Sequence, residues 1–184
     1  MSDETTNQPL NSGVFPDVQA AIRDRLASFS DFGGIAMILQ YEGSIDTRID
    51  EALAVLTDGC RPGAALLIAT PAAEETGANL PTVRLDPFGV TVTVIEDTTF
   101  NAPPDGTGRR AFEWAVLALR ALKGWTPPGC QKPLTGWGNA ISLGPQKGTK
   151  VIVNLTLKTR VDLLPLRQPG EHGYTNTVPP PARV

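Results

Sequence analysis

Lys150-Val-Ile-Val-Asn-Leu-Thr-Leu-Lys-Thr-Arg-Val-Asp-Leu163 alternates along its whole length. Val151, Val153, Leu155, Leu157, Thr159 and Val161 fall on one side, and Asn154, Thr156, Lys158 and Arg160 on the other. A period of two sends successive side chains to opposite faces of a strand, so this stretch is a long strand with one apolar and one polar face. Ahead of it, Asn139–Leu143 reads as a strand and Gly144-Pro-Gln-Lys-Gly-Thr149 as the turn of a hairpin. That turn holds the residue types of a phosphate-binding loop in the wrong spacing. It also feeds a strand, where a Walker motif feeds a helix, so it is read as a connector.

Working outward, Ala64-Ala-Leu-Leu-Ile-Ala69 is a continuous apolar run between Pro62-Gly63 and Pro71, the pattern of a central strand buried on both faces. Val83–Ile95 alternates, with Pro87 and Gly89 marking a bulge or kink, and the polar side of Val90–Ile95 is wet or faces an interface. Residues 71–81 read as a polar loop. Val18, Ala21, Ile22, Leu26 and Phe29 recur at helical spacing, with Pro16 suited to a first turn. Ile35–Tyr41 is a short strand or link, and Ser44–Asp58 a second helix candidate ending at Gly59. Thr107–Lys123 is the strongest helix. Ten of the twelve residues from Ala111 to Leu122 are apolar, and the exceptions, Glu113 and Arg120, share a face. A helix apolar around most of its circumference is buried on more than one side. The second cover is either the chain itself or a neighbouring subunit. Trp125–Gly138 reads as a Pro, Gly and Trp-rich loop.

The fold class is α+β, a mixed or antiparallel sheet of about 4–6 strands flanked by two or three helices. Residues 1–14 read as a flexible leader, 15–163 as a single domain, and 164–184, with five prolines in 21 positions, as an extended polyproline-like arm. With 184 residues and 41% apolar content, the chain has material for one core. The 18 glycines and 17 prolines demand many loops. A net charge of -3 argues against a protein held on nucleic acid by bulk charge. Met1–Leu10 has neither the basic nor the apolar part of a signal peptide, and no run suits a membrane helix, so synthesis in the cytoplasm is expected.

Few residues invite chemistry. The two cysteines, Cys60 and Cys130, make no CxxC pair and read as structural thiols. His172 lies in the Pro-rich arm, where nothing holds it against a nucleophile. Gly106-Thr-Gly-Arg-Arg-Ala111 has the form GxGxxA, but Pro103 and Pro104 separate it from its strand and no acidic ribose partner follows. It reads as a glycine turn feeding a helix. Arg109 and Arg110 at that helix start also suit a bound phosphate or carboxylate. Asp86, Glu96 and Asp97 read as solvated carboxylates in preference to a cation site. Trp114 and Trp125 suit a core, and Trp137, between glycines, suits a protein interface. No catalytic residue, cofactor or metal site is expected.

One segment carries a family resemblance. From Val90 to Pro128 the chain runs through a valine-rich strand, an acidic end, Asn101 in a loop, the Gly106-Thr-Gly108 turn, an Ala/Leu-rich helix and Gly124-Trp125-Thr126-Pro127. This resembles the central segment of the Mu-like tail-completion and tail-terminator proteins of long-tailed bacteriophages, and Leu157–Val161 is similar to their last strand. The resemblance extends over roughly residues 15–163. The arm and the 71–81 loop depart from the pattern.

The resemblance implies a virion structural protein with a tail-terminator-like fold. It implies a homo-oligomeric ring, typically of six copies, that caps the tail tube and joins tail to head. Its partners would be itself, the tail-tube protein and head-side neck proteins. DNA would pass through the lumen without specific binding, and no membrane is involved. A head-completion, other neck or tail-tube protein of the same particle is the alternative. An anion- or nucleotide-binding enzyme using the Gly106–Arg110 turn is the competitor from another class. Arg109, Arg110, Trp125, Trp137 and Arg160 are the expected interface residues. Charge reversal at Arg109 and Arg110 is expected to block assembly and leave the monomer folded.

Overall fold

A computed structural model describes residues 14–39, 54, 63–71, 73–76, 83–99, 101, 109–145 and 148–163. In chain order these form α1 (Val14–Ala27), a 3-10 turn (Ser30–Phe32), β1 (Ala36–Leu39), β2 (Ala64–Ala69), β3 (Ala73–Thr76), β4 (Val83–Asp97), α2 (Ala111–Leu122), β5 (Thr135–Leu143) and β6 (Lys150–Leu163). The long alternating strand is β6, with the limits its period implied. It pairs antiparallel with β4 from Val83–Leu163 to Asp97–Lys150, and with β5 on its other side. The sheet order is β1-β2-β4-β6-β5, with β3 beside the first half of β4. Since β1 and β2 run parallel and the other pairs antiparallel, the sheet is mixed. An α+β fold with a six-stranded mixed sheet and, among the described residues, two helices lies within the expected range.

Both helices pack on one face. Val18, Ile22 and Leu26 of α1 and Ala111, Trp114, Ala115, Ala118 and Leu122 of α2 close over Leu66 and Ile68 of β2, Val90, Val92 and Val94 of β4, and Val153, Leu155 and Leu157 of β6. α1 lies over β1 and β2, while α2 lies over β4 and β6 and reaches β5. On the opposite face, among the described residues, Ala65, Leu67, Ile95 and Ile152 form a smaller buried cluster at one end. Further along, that face turns polar. Thr93 donates to Asn154 (2.8 Å), and Arg84 and Arg160 flank Asp162. β2 is thus buried on both faces, as its unbroken apolar run requires.

Four readings need correction. The 71–81 stretch contains β3, whose four residues are all exposed. Ala-Glu-Glu-Thr has no alternation because its backbone hydrogen bonds hold it in place and no face is buried. The Trp125–Gly138 loop ends early, since β5 starts at Thr135. Its register slips against β6 between Gly136 and Ile141, and this wide bulge, with Gly138 at φ 57°, broke the period. The helix expected from Thr107 begins at Ala111, and Arg109 and Arg110 precede it. Asp86, Glu96 and Asp97 are not simply solvated, as described below. The expected bulge in β4 is present, between Leu85 and Phe88, around a cis Asp86–Pro87 bond. The leader apart from Val14, which opens α1, the Ser44–Asp58 helix candidate apart from Ala54, Gly106–Gly108, Cys60, His172 and the Pro-rich arm lie outside the described residues.

Candidate assembly surface

The segment that carries the resemblance is held together by buried polar groups. Glu96 and Asp97 end β4 and are each 1% exposed. One Glu96 carboxylate oxygen accepts from the Ala111 backbone N–H (2.6 Å), the first residue of α2. The other accepts from the Asn101 amide (2.9 Å) and the Arg110 guanidinium (3.1 Å). Asn101, 0% exposed, uses the same amide nitrogen to reach the Arg109 carbonyl (2.5 Å). Asp97 accepts from Thr99 N–H (2.9 Å), Thr149 and Lys150. A helix start carries bare N–H groups and a partial positive charge, so it draws an anion. Here the anion is the chain's own Glu96, and Glu113 adds a second cap on the Arg110 N–H (2.7 Å). Arg110 is paired here with Glu96 and Arg109 with Asp31, both carboxylates of the chain itself.

At its other end α2 stops at Lys123, and Gly124 takes the left-handed φ of 82° that only glycine adopts at low cost. Gly124 N–H then donates to Leu134 and Trp125 accepts from Leu134, which returns the chain to the sheet. The Asn101 and Gly-Trp positions thus join β4, α2 and β5.

The five expected interface residues do not form one patch. Arg109 pairs with Asp31 (2.7 Å) and lies over the Trp114 ring (5.2 Å). Arg110 pairs with Glu96. Trp125 lies past the far end of α2, a helix about 18 Å long, and is half-buried, with Arg25 over its ring at 5.7 Å. Trp137 sits in the β5 bulge. Arg160 projects from the face opposite the helices, 3.5 Å from Asp162. Reversing Arg110 would set a second carboxylate against buried Glu96, so the expectation of an undisturbed monomer is revised.

Among the described residues, none covers the flank of α2 turned from α1. At about 100° per residue, Phe112, Val116, Leu119 and Lys123 share a sector about 60° wide. Trp114 and Ala121 lie on the other flank, against Phe32 and Arg25 of the α1 side. Phe112 is 53% exposed and Val116 37%. Beside them runs β5, whose Ile141 and Leu143 sit opposite Leu155 and Val153, on the helix side of the sheet. Leu143 is 75% exposed. The result is an apolar shelf with α2 as wall and β5 as floor, with Lys123 at one end. The excess apolar content of α2 signalled this surface, although the particular residues were not singled out.

Two grooves are lined by described residues. A groove of about 210 Å³ lies between the 3-10 turn and Leu117, Arg120 and Ala121 of α2. Another, of about 260 Å³, is lined by Asp86, Lys132 and Lys158. Asp86 accepts from Lys132 (2.7 Å), and that ammonium holds its carboxyl below the usual range. Among the described residues no group of three or more His, Cys, Asp or Glu could hold a metal, and no helix is long and apolar enough to cross a membrane.

Burial pushes the Cys130 thiol up to about 11, against a hydrogen bond with Thr159 that lowers it. In a Cys60→Ser variant at pH 8, we expect the native thiol to react with a disulfide reagent at least about a hundredfold slower than the unfolded chain, because the reacting species is the thiolate. The folded state holds this proton more tightly. The stability it confers is complete below the unfolded thiol's pKa and lost as pH rises towards 11. Equal labelling rates for native and unfolded protein would refute the assignment.

These elements define a small α+β domain with one open apolar flank. No family model matches the chain, and no curated protein does. Among solved structures it is similar to the sheath/tube terminator of an extracellular contractile injection system, PVC, in its extended state. The identity is 14% and the TM-score 0.35, over 93% of this chain and 67% of that one. It is also similar to a crystal structure from Akkermansia muciniphila, at 16% identity and TM-score 0.34, over 88% of this chain and 83% of that one. Likenesses at this level carry no functional weight by themselves.

Proposed function

We propose that this chain is a bacteriophage tail terminator or completion protein, a virion component that assembles as a ring on the tail tube and joins tail to head. The exposed apolar flank of α2 carries the reading. A helix this apolar, in a domain this small, needs a second cover, and a neighbouring subunit supplies it. A head-to-tail contact between unlike surfaces closes into a ring when the rotation permits. The segment from Val90 to Pro128 supports the same reading through its resemblance to terminator proteins. Its Asn101 and Gly124-Trp125 have joining roles here, consistent with a motif that preserves a scaffold. The proposed work is mechanical, with no catalytic step. Head-side neck proteins and the tail tube are the proposed partners, and DNA crosses the lumen without being gripped, in keeping with a net charge of -3.

Negative-stain microscopy and sedimentation of the purified protein, alone and with isolated tail tubes, test this. Single rings, or tubes capped at one end, are expected. Long hollow fibres from the protein alone would identify a tube protein instead. A monomer that ignores tubes would end the reading.

A further inference from the structure

We infer that the groove beside Lys158 receives strand β3 of a second copy, an inference that rests on the ring reading above. Asp86, Lys132, Pro133, Thr135, Lys158 and Thr159 line this groove, where β4, β6 and the start of β5 run side by side. Lys158 is exposed and makes no ion pair among the described residues. Its ladder partners are Gly89 on one side and Thr135 on the other. A glycine inside a strand admits the close approach of another backbone. Asp86 is the one carboxylate among these lining residues, and Lys132 already holds it. Arg160, two residues beyond Lys158, faces Asp162, which also takes Arg84. Lys158 is thus a surplus positive charge in a groove of about 260 Å³, and it calls for a carboxylate.

β3 offers that carboxylate. All four residues Ala73–Thr76 are exposed, and neither Glu74 nor Glu75 has an ion pair among the described residues. The cation across the ladder, Arg84 opposite Thr76, is taken by Asp162. Consecutive residues of a strand point to opposite sides, so one glutamate faces Lys158 whichever way up β3 approaches. β3 flanks β4 at Arg84–Phe88, on the side away from β6, while Thr135 flanks Lys158 on the other side of β6. The two surfaces therefore stand at opposite edges of one end of the sheet. A contact between them is head-to-tail, as a closed ring needs. Duplex DNA fits the groove less well. It carries one charge about every 1.7 Å and needs a row of free cations, where this groove offers Lys158.

Charge reversal tests the contact. The first variant carries Lys158→Glu, the second Glu74→Lys with Glu75→Lys, and the third all three changes. These side chains are exposed, so each variant should fold, with circular dichroism and unfolding temperature as the check. The first and second should each need at least about a tenfold higher concentration to assemble, alone or on tail tubes, because like charges then meet across the contact. The third should assemble near the wild-type concentration, since both sides of the contact have changed sign. Rings that form as readily in the first two variants as in wild type, or a third variant as impaired as they are, would overturn the contact and leave the ring reading standing. A Lys158→Glu ring that assembles normally but loses a duplex DNA retained by the wild-type ring would assign the groove to phosphates and overturn the contact too. Wild-type protein that stays monomeric with and without tail tubes would overturn the ring reading and this contact with it.

Discussion

Replacing Glu96 with alanine is expected to lower the free energy of unfolding by about 3 kcal/mol, because a buried N–H and a buried amide each lose their acceptor. The carboxylate is 1% exposed and serves Ala111 N–H, Asn101 and Arg110 together. Alanine leaves the first N–H of α2 facing a void and removes the negative charge at the positive end of the helix. Arg110 loses little, since its side chain is 60% exposed and water replaces the partner. Glutamine should cost less, about 1–2 kcal/mol, because one oxygen can still accept from Ala111 while its amino group meets the Asn101 donor. Urea unfolding measures both. Equal losses for the two variants would mean that the carboxylate acts by filling space and that the hydrogen-bond account is wrong.

Trp114→Ala is expected to cost about 3–5 kcal/mol, the range for removing a large core aromatic. Its ring is 1% exposed, 5.6 Å from Phe32 and beneath Arg109, at the junction of α2 with the turn after α1. Trp114→Phe should cost far less, about 1–2 kcal/mol. The indole N–H is buried with no hydrogen-bond partner, so phenylalanine removes an unmet donor along with the lost ring area. A phenylalanine variant as unstable as the alanine variant would show that the N–H is satisfied in solution. The denaturant slope should stay constant in both, as the surface exposed on unfolding barely changes.

How much of this was legible depends on which signal each element carries. β6 and β2 bury whole faces, so period and apolar run mark them in the chain itself. β3 buries nothing and is held by backbone bonds, which leave no trace in side-chain order. The first half of β5 is hidden by a bulge that breaks its period at Trp137 and Gly138. Pro87 marked the β4 bulge because proline cannot donate to a ladder. The Glu96–Asn101–Arg109 network was illegible for a different reason. A carboxylate near a strand end is ordinarily solvated, and only the return of the helix start to that end buries it. The assembly surface was legible as an excess, too much apolar area on one helix, but not as positions. Which flank of α2 stays open depends on the sheet order, and the order emerges only when β5 folds back beside β6.

The hydrogen bond from Asn101 to the Arg109 carbonyl has a consequence for how this chain tolerates change. It ties together the two residues that flank positions 102–108, at 2.5 Å. Lengthening a loop whose ends are already fixed costs only about 0.6 kcal/mol per doubling. The strand and helix on either side are thereby insulated from insertions in that stretch, which makes it a natural socket for a grafted peptide.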